Sequence, residues 1–317
     1  MSLFNAIGFF IIILLYSSCI NDTNKNKFSF SNEKYYKIEN ISENDIIQSY
    51  TDVYDTNKMT FVKGGKFNFG SNNGLNREKP IQEVTIQSFL IDKNLVTTED
   101  FRAFINESNY ITEAEKFGDA IVYDDSSDIW KLVDGANWEF PLGKSKTISP
   151  NNHPVTQISW NDACAYCEFY DKNLPSELQW EYAASERGKK KNQLFYWGNN
   201  LKVDNNYMCN TWTSGYPNLI DSDDGFRYTS PIGYFKPNSL GIFDMAGNVW
   251  EWCSNWYLPY EGNLQMFPTD QQRAKRGGSF LCNPNYCYGF RLSARSSSTP
   301  ESSFFHVGFR CVKNLND

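Results

Sequence analysis

The sequence predicts an α+β domain with little regular secondary structure, whose long loops are held from outside their own backbones. Three observations predict it. Alternating strand-like segments cluster early in the chain, three capped helix signals occupy the middle, and Gly, Asn and Pro punctuate everything from Gly188 onward. Loops that long inside one compact domain need external support, from a metal ion or a cross-link.

The elements follow in order. MTFVKGGKFNFGS, Met59 to Ser71, alternates around Gly64 and Gly65 and reads as a turn between strands. VTIQSFLID, Val84 to Asp92, reads as one continuous strand. TTEDFRAFINES opens a helix on Thr97 with acids in its first turn, where the helix dipole favours them. SWNDACAYCEFYDK opens on Ser159, and LPSELQWEYAASE pairs Ser176 with Gln179 three residues on, a capping box.

Domain organisation follows texture. Ile7 to Leu15 is an apolar run too short for a span of about 20 residues. Followed by YSSC, it reads as an export signal over residues 1–19 with Cys19 as a lipidation site. Residues 20–55 are rich in Asn, Lys, Ser and Glu and read as a polar tether. Residues 56–317 form the remaining unit, with no internal repeat. The expected location is therefore exported, as a periplasmic or outer-membrane-anchored lipoprotein if the source is bacterial.

Composition excludes several classes of function. With net charge -7 and no basic stripe, neither nucleic acid nor an anionic membrane surface is an expected partner, so membrane contact is left to the lipid anchor. Two histidines, His153 and His306, are too few for a His-rich zinc site. The 24 Phe, 19 Tyr and 9 Trp supply a core with hydrogen-bonding edges. Of eight cysteines, setting Cys19 aside leaves seven, an odd number, so at least one thiol is unbridged.

Two stretches carry candidate chemistry. In GGSFLCNPNYCYGF, Cys282 and Cys287 share a loop of Gly, Ser, Asn and Pro. A disulfide there would close a short ring with little entropic gain. Zinc would want four ligands. Two soft thiolates without hard partners suit a monovalent soft metal such as Cu(I). Spacing leaves these three open. The second stretch comprises two loops with oxygen donors, Asn210 with Asp223 and Asp224, and Asp244 with Asn248 and Glu251. Alone they read first as solvated turn acids, with calcium as the alternative.

The run KRGGSFLCNPNYCYGFRLSARSSSTPESSFFHVGFRCVK resembles the formylglycine-generating enzyme, or sulfatase-modifying factor, family. GNVWEW, RGGS and GFR mark the wider superfamily. The two cysteines, RSSSTPESS, TEAEKFGD and GANW match its catalytic branch, and the resemblance extends over residues 59–313. It implies a single monomeric domain related to the C-type lectins. It also implies oxidation of a cysteine, within Cys-x-Pro-x-Arg of an unfolded or nascent sulfatase, to Cα-formylglycine, with oxygen consumed and sulfide released.

The resemblance also assigns residues. Cys282 and Cys287 would hold Cu(I). Ser279 matches an active-site serine, Trp250 an aromatic wall beside the metal, Arg295 a substrate-groove arginine, and Tyr286 a neighbour of the second thiolate. Gly277 and Gly278 would let substrate backbone come close. Cys167 and Cys311 match a disulfide. Structural Ca2+ would take Asn210, Asp224 and the carbonyls of Thr211 and Phe226 at one site. A second site would use Asp244, Glu251 and the carbonyls of Gly247 and Val249. Departures from the pattern are Ala184 and Leu292 in place of a second disulfide, Leu95 for Glu, Asp244 for Asn, and His306 for Asn, still placed to meet substrate. The competing reading is a non-catalytic surface lipoprotein that uses the same fold for binding.

Overall fold

A computed structural model describes residues 58–124, 126–213, 223–263 and 271–315. The export segment, Cys19 and the tether lie outside the described residues.

Helices form where the sequence supplies caps. α1 (Thr98–Ser108), α2 (Glu113–Phe117), α3 (Trp160–Phe169) and α4 (Glu177–Ala184) each begin with a reciprocal capping box. In α3, Asp162 donates its N–H to Ser159 Oγ at 3.1 Å, and its Oδ2 accepts from Ser159 N at 2.9 Å. α1 stops at Asn109 and α2 at Gly118, both in the left-handed region that ends helices.

The strands depart from expectation twice. β1 (Met59–Val62) and β2 (Gly65–Phe69), whose first residue is the second glycine, do not pair with each other. β1 pairs with β4 (Phe89–Asp92), and β2 with β3 (Gln82–Ile86). The expected single strand Val84–Asp92 is thus broken at Gln87 and Ser88. Gly64 explains both: its N–H donates to Ser88 Oγ at 3.0 Å, and a Cβ there would sit 2.8 Å from the Gln87 carbonyl carbon and Ser88 nitrogen. The glycine admits a chain corner rather than making a hairpin.

Further on, β5 (Asp119–Asp124) and β6 (Ile129–Asp134) form a hairpin, and β7 (Lys202–Val203) and β8 (Asn206–Tyr207) a minimal one. The site rests on a four-stranded sheet in the order β11 (Arg295–Ser298), β10 (Arg273–Arg276), β9 (Trp250–Trp256) and β12 (Val307–Gly308), in which only β12 runs parallel to its neighbour. β13 (Val312–Asn314) returns the chain to β4, whose four residues are all buried.

The main core is aromatic: Phe101 lies 5.7 Å from Trp138 and Phe104 5.5 Å from Tyr166, both edge-on. A smaller cluster gathers Trp212, Phe280 and Phe305. Through the interior run arginine–carboxylate forks. Arg276 reaches Glu181 at 2.5 Å and Glu177 at 3.2 Å, Arg295 takes Glu177 at 2.5 and 2.8 Å, and Arg291 holds Glu78 at 2.5 and 2.8 Å. Arg310 grips Glu251 at 2.6 and 3.0 Å.

Removing one partner from such a pair strands a buried charge. Glu177→Ala is expected to lower stability by about 3–5 kcal/mol in denaturant titration. Burial alone would raise the Glu177 carboxyl, but Arg295 and Arg276 override it and hold it below its ordinary 4.5. A depressed native pKa means the contribution is complete above 4.5 and is lost as pH falls through the native value. Acid titration of wild type against Glu177→Gln should show the difference vanishing at low pH.

A candidate two-thiol active site

β10 delivers the chain into Gly277 and Gly278, with φ of 94° and 71°. A Cβ on Gly278 would lie 2.6 Å from the Phe290 nitrogen and 2.7 Å from the Gly289 carbonyl carbon. Gly278 has an internal role: the loop 277–290 leaves and returns through a point where its own legs touch.

At the far end, the Asn283 carbonyl accepts from the N–H groups of Tyr286, Cys287 and Tyr288, each at 3.1 Å. Asn283 Nδ2 donates to the Trp212 carbonyl at 3.0 Å, and its Oδ1 accepts from Asn285 N at 2.8 Å. This turn folds Cys287 back over Cys282. Their sulfurs stand 2.7 Å apart as free thiols.

The two thiols are unequal. Cys282 is 1% exposed, and burial pushes it well above an ordinary thiol. Cys287 is half-buried, and the hydrogen bond from Cys282 holds it below the ordinary value, helped by the Gly289 N–H, Arg77 and Arg291. Cys287 is therefore the sulfur that ionises first. Among the described residues no group of three or more His, Cys, Asp or Glu could hold a metal, so four-ligand zinc does not fit. Two sulfurs fit a soft monovalent ion. With metal–sulfur bonds of about 2.3 Å, the sulfurs must part to admit one.

The other expected site residues fall around this pair. Trp250 starts β9, and its ring and the Cys287 sulfur both lie against Gly289, where a Cβ would meet the ring first and the sulfur at 2.8 Å. Ser279 is buried; its N–H donates to Cys282 Sγ at 3.4 Å, and its Oγ accepts from Leu281 N at 3.3 Å. Tyr286, beside Cys287 in the chain, is 65% exposed. His306 is buried, its carbonyl accepts from Trp250 N at 3.0 Å, and its ring lies 5.1 Å from Trp130. Its Nδ1 is buried without a hydrogen-bond partner, and burial, then the Lys275 charge, keeps the imidazole neutral.

Three placements differ from expectation. Arg295 is 1% exposed, and its guanidinium is engaged by Glu177 and by the Leu258 and Arg77 carbonyls, between the rings of Tyr257 and Tyr260. It is part of the scaffold rather than of a substrate groove. Cys167 and Cys311 face each other at 3.4 Å as thiols, not as a bridge. Glu251 gives both oxygens to Arg310 and keeps only its remaining lone pairs for a cation.

The first oxygen-donor loop fits a hard cation better. Asn210 Oδ1 is buried with no hydrogen-bond partner, and burial raises the Asp224 carboxyl, which accepts from Thr211 N at 2.7 Å and Phe226 N at 3.0 Å. In the second loop burial pushes Asp244 up to about 6, while Gly247 lies against the Asn210 carbonyl and Val249 is fully buried. The loops also meet the thiol loop. The Cys282 carbonyl accepts from Trp212 N at 2.9 Å and from Thr211 Oγ1, and Asn248 accepts from Phe280 N at 2.9 Å. Two residues here escaped sequence reasoning. Asn283 reads as an ordinary Asn-Pro turn, and Lys275, buried on β10, reads as a strand cation.

A family model described as sulfatase-modifying factor enzyme 1-like domain matches residues 47–315. The Mus musculus formylglycine-generating enzyme is 39% identical over 279 residues, spanning 80% of this chain and 74% of that protein. A Bos taurus relative named inactive C-alpha-formylglycine-generating enzyme 2 is 35% identical over 278 residues, spanning 81% and 88%. The solved structure of PvdO from Pseudomonas aeruginosa aligns with TM-score 0.61 at 22% identity over 81% of this chain and 94% of its own, a likeness of fold.

Gly278→Ala places a methyl group against backbone at a left-handed residue. A loss of at least about 2 kcal/mol is expected in denaturant titration, with faster alkylation of Cys282 as the loop opens.

Proposed function

This chain belongs to the family of sulfatase-modifying factor enzyme 1-like domains, and from that premise we propose that it converts a sulfatase cysteine into Cα-formylglycine. The observation that carries the reading is the Cys282–Cys287 pair, one sulfur sealed and the other half-buried in a fixed loop.

The substrate is a cysteine within Cys-x-Pro-x-Arg of an unfolded sulfatase segment. Turning its CH2–SH into an aldehyde and sulfide removes two electrons, and O2 takes four on full reduction, so an external thiol reductant supplies the other two. Cu(I) held by Cys282 and Cys287 would supply a soft site for the substrate sulfur and a partner for oxygen.

The chain's own residues do the rest. The Ser279 N–H fixes the Cys282 sulfur, and the Asn283 carbonyl holds the turn that carries Cys287. Trp250 closes one side of the pair and excludes water. Tyr286 presents its exposed ring to the incoming polypeptide. His306 is buried and neutral, and its part is to hold Trp250, whose N–H its carbonyl accepts at 3.0 Å. Ca2+ at Asn210, Asp224 and the Thr211 and Phe226 carbonyls would stiffen the segment that grips the Cys282 carbonyl. A second ion would use Asp244, Glu251 and the carbonyls of Gly247 and Val249. Cys167 and Cys311 would close to a disulfide in an oxidising compartment, the setting that export and lipidation at Cys19 give a monomeric enzyme.

The test is a synthetic Cys-x-Pro-x-Arg peptide incubated with copper-loaded protein, a thiol reductant and oxygen. Mass spectrometry should show the thiol replaced by an aldehyde, and Cys282→Ser or Cys287→Ser should reduce conversion to background with the circular dichroism unchanged. No conversion by copper-loaded wild type would overturn the reading in favour of a binding module, the alternative raised by the relative named inactive. A second experiment tests calcium. At 100 times its Kd, Ca2+ should stabilise the fold by about 2.7 kcal/mol, and Asn210→Ala should remove most of that increment.

A further inference from the structure

The residue after Cys287 stands in a sparsely occupied conformation. Tyr288 has φ of 47°, in the left-handed region that costs free energy for any side chain larger than glycine's. Such a turn persists only where its surroundings impose it. Here both backbone groups of Tyr288 are held. Its N–H donates to the Asn283 carbonyl at 3.1 Å, and its carbonyl accepts from Arg291 Nε at 3.1 Å. The Arg291 guanidinium also lies 5.2 Å from the Tyr288 ring, which meets Phe290 edge-on at 5.6 Å.

Arg291 is itself fixed from far away in the chain. Its Nη1 and Nη2 take the two oxygens of Glu78 at 2.8 and 2.5 Å, and Ser293 Oγ donates to the same carboxylate at 2.7 Å. Glu78 is fully buried, and its carbonyl accepts from Ser71 N at 2.8 Å. Its carboxylate lies against Gly74, where any Cβ would overlap it. With both terminal nitrogens in the fork, the guanidinium plane is set and the remaining Nε meets the Tyr288 carbonyl. The turn matters to the thiols because of what flanks it. Cys287 precedes it, and Gly289 follows it, packed against the Trp250 ring and the Cys287 sulfur. Cys282 has holds of its own, from the Ser279 N–H on its sulfur and from Trp212 and Thr211 on its carbonyl. The leg that returns from Cys287 depends on Tyr288.

We propose that the Glu78–Arg291 fork is a positioning device for Cys287: it imposes the left-handed turn at Tyr288 that keeps this sulfur beside Cys282. The inference rests on the reading of the pair as the reactive site. Both residues act through Tyr288 and are positioning residues rather than catalytic ones. Glycine adopts the left-handed turn without help, which gives the role a signature that simple packing lacks.

The test follows metal-free protein at equilibrium with a glutathione buffer, read by mass spectrometry on the peptide that holds both cysteines. Two protein thiols and one glutathione disulfide give one protein disulfide and two glutathione thiols. The equilibrium therefore reports the effective concentration of one sulfur at the other. Arg291→Lys keeps a charge for Glu78 but gives up the Nε hydrogen bond, and Glu78→Gln weakens the fork from its other end. Each should lower the effective concentration about tenfold and speed amide hydrogen exchange at Cys287 and Tyr288 about tenfold. Adding Tyr288→Gly to Arg291→Lys should recover about threefold of the lost effective concentration, because glycine takes the turn unaided. Phe104→Leu is the control, since Phe104 packs on Tyr110, Tyr166 and Phe169. It should lower global stability and leave both readouts at the wild-type value. If Glu78→Gln fails to fold, Arg291→Lys carries the comparison. Wild-type equilibrium and exchange in Arg291→Lys would overturn the proposal, as would losses matched by Phe104→Leu. If the wild-type pair forms no disulfide at any glutathione ratio, the reading of a closely held pair fails separately. Amide exchange at Tyr288 then decides alone: faster in Arg291→Lys supports the fork's role, and unchanged refutes it.

Discussion

Buried arginine–carboxylate forks are the constraint on which the rest of this structure depends. A chain whose second half is mostly loop cannot satisfy its interior with sheet and helix hydrogen bonds alone. Here Arg276, Arg291, Arg295 and Arg310, all from the C-terminal strands and their loops, reach back to Glu181, Glu78, Glu177 and Glu251. The partners lie 59 to 213 residues apart in sequence, so each fork ties a late segment to an earlier one. The guanidinium's planar fork suits this task, because each ion pair also fixes an orientation. Paired charges of this kind need not add net stability over apolar residues, but they penalise any arrangement in which a partner is missing.

That constraint reaches the thiol pair through β10. Arg276, the last residue of the strand, is anchored on α4, and the next two residues are the left-handed glycines where the loop's legs touch. From that anchored base the loop projects only far enough for Asn283 to gather three N–H groups and turn Cys287 back. Trp212 and Thr211 hold the Cys282 carbonyl from the other side. The result is a pair whose positions are fixed by backbone hydrogen bonds rather than by the sulfurs themselves, which is the preorganisation that metal capture or thiol chemistry requires.

The helices were the most legible part of the fold, because a cap is local chemistry: Thr97, Ser159 and Ser176 each read correctly from a few residues. α2 was not singled out, since five residues carry too little periodicity to register. Strand pairing was misread where a glycine served a distant segment, as Gly64 does for Ser88. The thiol pair could be located from the sequence, and its surroundings could not. Asn283 acts through its backbone carbonyl, which leaves no local pattern. Arg295 shows the converse. Its motif matched a groove residue, and burial beside Glu177 gave it a different task.

The account's central claim is that the 277–290 loop brings two sulfurs together where they would hold a soft metal ion. X-ray absorption at the copper edge of anaerobically loaded protein tests it most directly. One copper per chain with two sulfur neighbours, lost in both Cys282→Ser and Cys287→Ser, and a third sulfur on adding the cysteine peptide, is the predicted result. Nitrogen or oxygen ligation, or loading that survives either substitution, would contradict it.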